Sequence, residues 1–213
     1  METIAGHPPL LEVLSTEDEI EAAIGKPAPR ILAKTLDSLD NICRAFIARS
    51  SFVVVASSDS KGRLDVSPKG DLPGFVQILD GRTIAIPERP GNRRADTFRN
   101  VLQNPRVGLM FIVPGKGETL RVSGTARIVR DAWLREQMAV AGRLPELALV
   151  VTVEEAFIHC TKCMVRSRMW QPDTWNAAGL ASAVEALVVH SRLDMTVAEL
   201  QSLYENDLRT RLY

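Results

Sequence analysis

Short β-branched runs punctuated by tight turns fill residues 52–159, and that rhythm constrains the fold more than any other feature of the chain. Phe52-Val53-Val54-Val55-Ala56 is one such run. Asp59-Ser60-Lys61-Gly62 is a turn, and Arg63 to Ser67 returns as the hairpin partner. Further strands are predicted at 74–79, 82–87, 106–113, 118–129 and 147–159, with Asp80-Gly81 and Pro114-Gly115-Lys116-Gly117 as breaks. Six or more short strands joined by tight turns point to a closed β-barrel.

Helical periodicity lies outside or between these strands. Ser15-Thr16-Glu17-Asp18-Glu19 opens a short helix that Gly25, Pro27 and Pro29 terminate. Apolar residues at three- and four-residue spacing (Leu36, Leu39, Ile42, Cys43, Phe46, Ile47) predict a second helix over 33–48. Shorter helices are expected at 92–103 and 131–141. Beyond Gln171 two amphipathic helices are expected at 177–190 and 196–209, the latter capped by Thr196 with Glu199 three residues on. Its apolar stripe (Val197, Leu200, Leu203, Tyr204, Leu208) reads as packing against its own barrel or a twin subunit. The expected organisation is a helical segment over 1–50 packing on the barrel, the barrel over 51–170, and a helical extension over 171–213 of the same domain.

The chain's 26 Lys and Arg balance 26 Asp and Glu, so bulk charge builds neither a nucleic-acid surface nor an anionic-membrane surface. The opening residues lack a basic stretch followed by an apolar one, and no apolar run approaches the roughly 20 residues that span a bilayer. A cytoplasmic protein is the expectation. Three cysteines, Cys43, Cys160 and Cys163, cannot complete a disulfide framework. Cys160-Thr161-Lys162-Cys163 has C-x-x-C spacing beside His159, which leaves thiol or metal chemistry as one reading and two incidental thiols as the other. No further ligands sit at matching spacing, and no metal is expected.

One basic cluster stands out. Arg93 and Arg94 follow a Pro90-Gly91 turn and Asn92, a good N-cap residue, ahead of Ala95 to Leu102. This predicts two cations in a helix's first turn, where the macrodipole disfavours them by a few tenths to ~1 kcal/mol each and favours an anion. A phosphomonoester satisfies the arrangement, with Lys69 adding a point charge. The bland alternative is a solvated pair with Asp96 and Glu88 as partners.

The order of motifs resembles the pyridoxamine 5'-phosphate oxidase-like, FMN-binding split barrels. It is carried by Val66-Ser67-Pro68-Lys69, Ile86-Pro87, Asn92-Arg93-Arg94, Gln103-Asn104-Pro105-Arg106-Val107 and Leu120-Arg121-Val122-Ser123-Gly124-Thr125-Ala126, over residues 30–170. The resemblance implies a mainly β, α+β fold: a six-stranded split β-barrel with peripheral helices and a C-terminal helical extension. It also implies a homodimer with FMN in the cleft between subunits. Carried over by position, Lys69, Arg93 and Arg94 would hold the phosphate, with Asn92 at their helix start, and Ser67 and Thr119 would add polar contacts. Val66 to Lys69 and Ile86-Pro87 would flank the ring. Arg121 or Arg168 would stabilise a reduced flavin, and Lys162, Arg168 and Trp170 correspond to the other subunit's contribution. The alternative for Arg166 to Trp170 is a surface turn with a packed indole. The tail from Tyr204 to Tyr213 resembles a bacterial subgroup of mostly unassigned substrates.

Departures bear on the reaction. His159 to Trp170 contains no Arg-x-His motif, and Ile86-Pro87 replaces the Tyr-Thr pair of the oxidases proper, which argues against vitamin B6 oxidation. No Ser/His/Asp set, carboxylate pair or Gly-rich phosphate loop competes, and no residue is singled out as catalytic. Three functions follow: an FMN-dependent oxidoreductase acting on a small electron donor or acceptor, a non-catalytic FMN-binding sensor or storage protein, or a split barrel holding haem or a deazaflavin. Retained Lys69, Arg93 and Arg94, with only three histidines, favour the phosphorylated flavin.

Overall fold

A computed structural model describes residues 7, 8 and 10–213, and the chain divides into two compact units, one ending at Thr35 and the other running from Leu36 to Tyr213. In the first, α1 (Glu17–Ile24) begins at a reciprocal capping box between Thr16 and Glu19, and α2 (Pro29–Leu32) begins with proline at its first turn.

The second unit opens with a departure from the helix expected over 33–48. Leu36 instead exchanges backbone hydrogen bonds with Ala156 at 2.9 and 2.8 Å, and α3 (Asn41–Arg49) starts only where the Asp40 carboxylate accepts the Cys43 amide at 2.8 Å. A sheet contact and a better cap outweigh apolar periodicity here.

The strands are β1 (Phe52–Ser58), β2 (Leu64–Gly70), β3 (Gln77–Ile78), β4 (Thr83–Pro87), β5 (Arg106–Ile112), β6 (Thr119–Val129) and β7 (Ala148–His159), all antiparallel, in the order β2-β1-β5-β6-β7-β4-β3. The sheet therefore has seven strands rather than the six that the resemblance implies, and the run expected over 74–79 is cut to the two-residue edge strand β3. Alternation decides the faces. Val53 and Val55, Leu109 and Phe111, Leu120 and Val122, and Val151 and Val153 point inward to one apolar cluster that also takes in Ile47, Ile84 and Ile86. The sheet rolls around this cluster as a split barrel, mainly β with peripheral helices.

Between the strands lie α4 (Asp96–Val101) and α5 (Ala132–Gln137). At Ser123/Gly124 the β6–β7 ladder shifts register, and a Cβ built on Gly124 would lie 2.0 Å from the Thr152 carbonyl oxygen, so only glycine fits the bulge. After β7 come α6 (Lys162–Arg166), a single 3₁₀ turn at Pro172–Thr174, α7 (Ala183–Ser191) and α8 (Val197–Thr210). Capping boxes Ser182/Glu185 and Thr196/Glu199 start the last two. The first of this pair begins six residues later than expected, after Gly179 takes φ 78° and breaks the run.

Candidate functional site

The side chain of Lys69 builds outward from strand alternation. In β2, Ser67 and Lys69 share the face of their partners Val55 and Val53, while Val66 and Pro68 share the opposite face with Ala56 and Val54. Helix α4 closes over that inner face. Thr97 donates to Asp65 at 2.9 Å and Asn100 donates to Ser57 at 3.1 Å, which fixes Phe98 with its ring centroid 5.9 Å from the Lys69 ammonium.

The loop from Glu88 to Ala95 forms the next wall. Arg93 and Ala95 both adopt left-handed backbone, φ 59° and 56°, a conformation that costs a non-glycine residue about 1–2 kcal/mol. Helix α4 therefore begins at Asp96, with Ala95 at its N-cap position, and the expectation of both arginines in its first turn is corrected. Asn92 accepts the Arg94 amide at 3.0 Å, an Asx turn ahead of the helix. The Arg94 guanidinium pairs with Asp96 at 2.6 Å.

Together these elements enclose a cleft of about 500 Å³ lined by Lys69, Glu88 to Arg93, Ala95, Phe98, Glu146, Leu147, Arg211 and Tyr213. That size falls in the small-molecule range. Its charge is unevenly compensated. Arg89 pairs with Asp71 at 2.6 Å, with side chains only 16% and 2% exposed, whereas Lys69 and Arg93 have no ion-pair partner among the described residues. Burial depresses the Lys69 ammonium below its ordinary pKa, against the attraction of Glu88 and Asp65. Burial likewise raises the Glu88 carboxyl, against the attraction of Lys69. A half-buried ammonium and a guanidinium without an ion-pair partner thus line the same cleft, a donor set able to receive an anion.

The remaining sequence candidates sit elsewhere in one chain. Ile86 and Pro87 are buried and support the loop that follows them. Thr119 is buried at the start of β6, three strands from β2, a separation of roughly 14 Å. Arg121 lies on the outer face with its guanidinium 5.1 Å from the Phe157 ring centroid, in a cross-strand row with Met110, Val54 and Pro68. Arg121, Met110 and Val54 of that row wall a second, smaller groove of about 270 Å³. Lys162, Arg168 and Trp170 follow β7, and the Trp170 indole donates to the Lys116 carbonyl at 2.7 Å, which ties it to the β5–β6 turn. Cys160 and Cys163 are exposed, and the buried Cys43 thiol is pushed up to about 11 by burial and by Asp40. Among the described residues no group of three or more His, Cys, Asp or Glu could hold a metal ion, and no helix is long and apolar enough to cross a membrane.

Sequence reasoning missed Asp71, Arg89, Phe98, Arg211 and Tyr213. Charge and the family resemblance pointed to Lys69, but Arg89 and Asp71 carry no local pattern that pairs them. Only the distinctive Tyr204–Tyr213 run hinted that the tail has a task.

The family model described as pyridoxamine 5'-phosphate oxidase matches residues 39–160, more than half of the chain. The chain belongs to this family. The matched stretch holds the whole barrel and the cleft except Arg211 and Tyr213. Solved structures similar to it include HupZ of Group A Streptococcus, with 20% identity, TM-score 0.47, and coverage of 58% of this chain and 95% of that one. An FMN-binding protein from Syntrophomonas wolfei has 11% identity and TM-score 0.41, covering 54% and 86%. HutZ, a haem storage protein from Vibrio cholerae, has 19% identity and TM-score 0.38, covering 57% and 94%. No curated protein matches the chain.

Proposed function

We propose that this member of the pyridoxamine 5'-phosphate oxidase family binds FMN and acts as an FMN-dependent oxidoreductase on a small electron donor or acceptor, as a homodimer in the cytoplasm. One observation supports it above the rest: Lys69 and Arg93 line a single cleft with no ion-pair partner among the described residues, Lys69 being offset only by the longer-range attraction of Glu88 and Asp65, while Arg89 and Arg94 are each committed to an aspartate. A phosphate dianion supplies the missing charge, and the Lys69 ammonium and Arg93 fork supply charge-assisted donors. Asn92 holds the loop turn, and the Asp71–Arg89 pair holds the base of that loop against the barrel. Arg94, facing Asp96, positions α4 and leaves the phosphate to its neighbour.

When bound, the flavin supplies hydride acceptance at its N5. Because β2 is the edge strand of the sheet, a ring extending from the Lys69 cleft around that edge can lie against the apolar outer surface of Val66 and Pro68, next to Val54 and Met110. Arg121 on the same row offers positive charge. Thr119, Lys162, Arg168 and Trp170 lie away from the phosphate cleft within one chain, and a second copy is needed to bring such a set to the same cofactor. Ile86 and Pro87 act from beneath, as buried support. No histidine, cysteine or methionine lines the cleft, and Tyr213 has its hydroxyl on Asp71, so the usual axial ligands of haem are missing from it.

The test is an absorption spectrum of the protein loaded with FMN, followed by anaerobic NADH or NADPH. Flavin bands that bleach on reduction are expected. Bands that persist with every donor would leave a binding protein without turnover, and a protein that takes up haem but no FMN would overturn the reading.

A further inference from the structure

We propose that the C-terminal segment is part of the anion site: Arg211 is a ligand-binding residue for a phosphomonoester, and Tyr213 is the positioning residue that locks it there. The proposal rests on the phosphate cleft described above. Both residues lie outside the matched family region of 39–160, yet both line the cleft with Lys69 and Arg93.

Three tethers hold Tyr213. Its hydroxyl donates to Asp71 at 2.8 Å, its ring lies under the Arg89 guanidinium at 5.6 Å, and its carbonyl accepts from Arg143 at 2.6 Å. Here one aromatic side chain is bound to the same buried Asp71–Arg89 pair that anchors the cleft's loop, so tail and loop share a foundation.

Arg211 sits just past the end of α8. Its guanidinium pairs with Asp207 at 2.7 Å much as Arg94 pairs with Asp96, but unlike Arg94 it lines the cleft, so the rest of its donor fork is available there. The same residue also borders a groove with Leu203, Tyr204 and Asn92, so α8 runs directly beside the Arg93 loop. Besides Arg89, whose pairing with Asp71 is buried, cations from β2, the loop and the tail thus line one cleft: Lys69, Arg93 and Arg211. A guanidinium placed this way selects for a group with several acceptor oxygens and adds nothing to the binding of an uncharged ribityl end.

The experiment measures binding of FMN and of riboflavin, by quenching of flavin fluorescence, to wild type, Arg211→Ala, Arg211→Lys and Tyr213→Phe, each first checked for an unchanged melting temperature. FMN affinity should fall roughly tenfold in Arg211→Ala and recover in part in Arg211→Lys, with riboflavin affinity unchanged. Tyr213→Phe should weaken FMN and speed amide exchange over 208–213. If Arg211→Ala binds FMN as wild type does while Lys69→Met does not, the tail's role is refuted and the phosphate cleft stands. If neither substitution changes FMN affinity, or wild type takes up no FMN, the cleft assignment itself is refuted and the tail's role with it. Equal losses for FMN and riboflavin would reject a phosphate contact.

Discussion

Replacing Lys69 with Met separates a binding role from a packing role, because the two predict opposite signs. The ammonium is half-buried, lies 5.9 Å from the Phe98 ring centroid, and has no carboxylate within ion-pairing reach among the described residues. A phosphate oxygen at about 4 Å gains roughly 4 kcal/mol per unit charge at an effective dielectric near 20. Desolvation of both ions offsets much of that, leaving the ~1.5–3 kcal/mol typical of a hydrogen bond to a charged group. FMN affinity should therefore drop by about 10- to 150-fold. Without ligand the sign reverses, since Met keeps the stem's apolar contacts and removes a desolvated charge that Glu88 and Asp65 offset only in part, so stability should stay level or rise by up to ~1 kcal/mol. Burial lowers the folded pKa below the ordinary 10.5, so the charge penalty is present at neutral pH and disappears as pH rises to that value. The gain in the variant should shrink accordingly in alkaline buffer. Thermal melts with and without FMN, with fluorescence titration, read both effects. A variant that melts lower without ligand and binds FMN as wild type does would refute the reasoning.

Gly124→Ala should destabilise the barrel by at least about 1–3 kcal/mol in urea unfolding, because the added carbon would fall 2.0 Å from the Thr152 carbonyl; an unchanged midpoint would contradict the bulge geometry. At Asp71, burial raises the carboxyl, but hydrogen bonds from the Leu72 amide, Tyr213 and Arg89 outweigh it and hold the pKa below the usual 3.8. Its stabilisation is thus fully present above about pH 4 and is lost as pH falls through the depressed folded value, so Asp71→Asn should flatten the acid limb of a melting-temperature profile. Sedimentation should give twice the 23.5 kDa chain mass, and an FMN-loaded monomer would contradict the shared-cleft proposal.

Strand positions were readable because one buried face imposes a period of two. The run 118–129 became β6 at 119–129, and the return strand expected over 63–67 became β2 at 64–70. What failed was local and helical. The apolar spacing of 33–48 is genuine, but Leu36 belongs to a bridge with Ala156, 120 positions further along, which no window of a helix's length contains. Asn92 looked like an N-cap and does accept a nearby amide, yet the chain turns left-handed at Arg93 and Ala95, which neither residue type announces. The tail's role was hidden for the same reason as the bridge: Tyr213 meets Asp71 across 142 positions, and only the fold brings them together.

The central claim is that the cleft grips a phosphate, and comparing the affinities of FMN and riboflavin tests it most directly. The two ligands share a ring and ribityl chain and differ only in that group. Two charge-assisted contacts, from Lys69 and Arg93, should give FMN an advantage of at least roughly a hundredfold in wild type, and the double variant Lys69→Met, Arg93→Ala should bring the two affinities to within about tenfold, the share that Arg211 supplies. Equal affinity of wild type for both ligands would contradict the account.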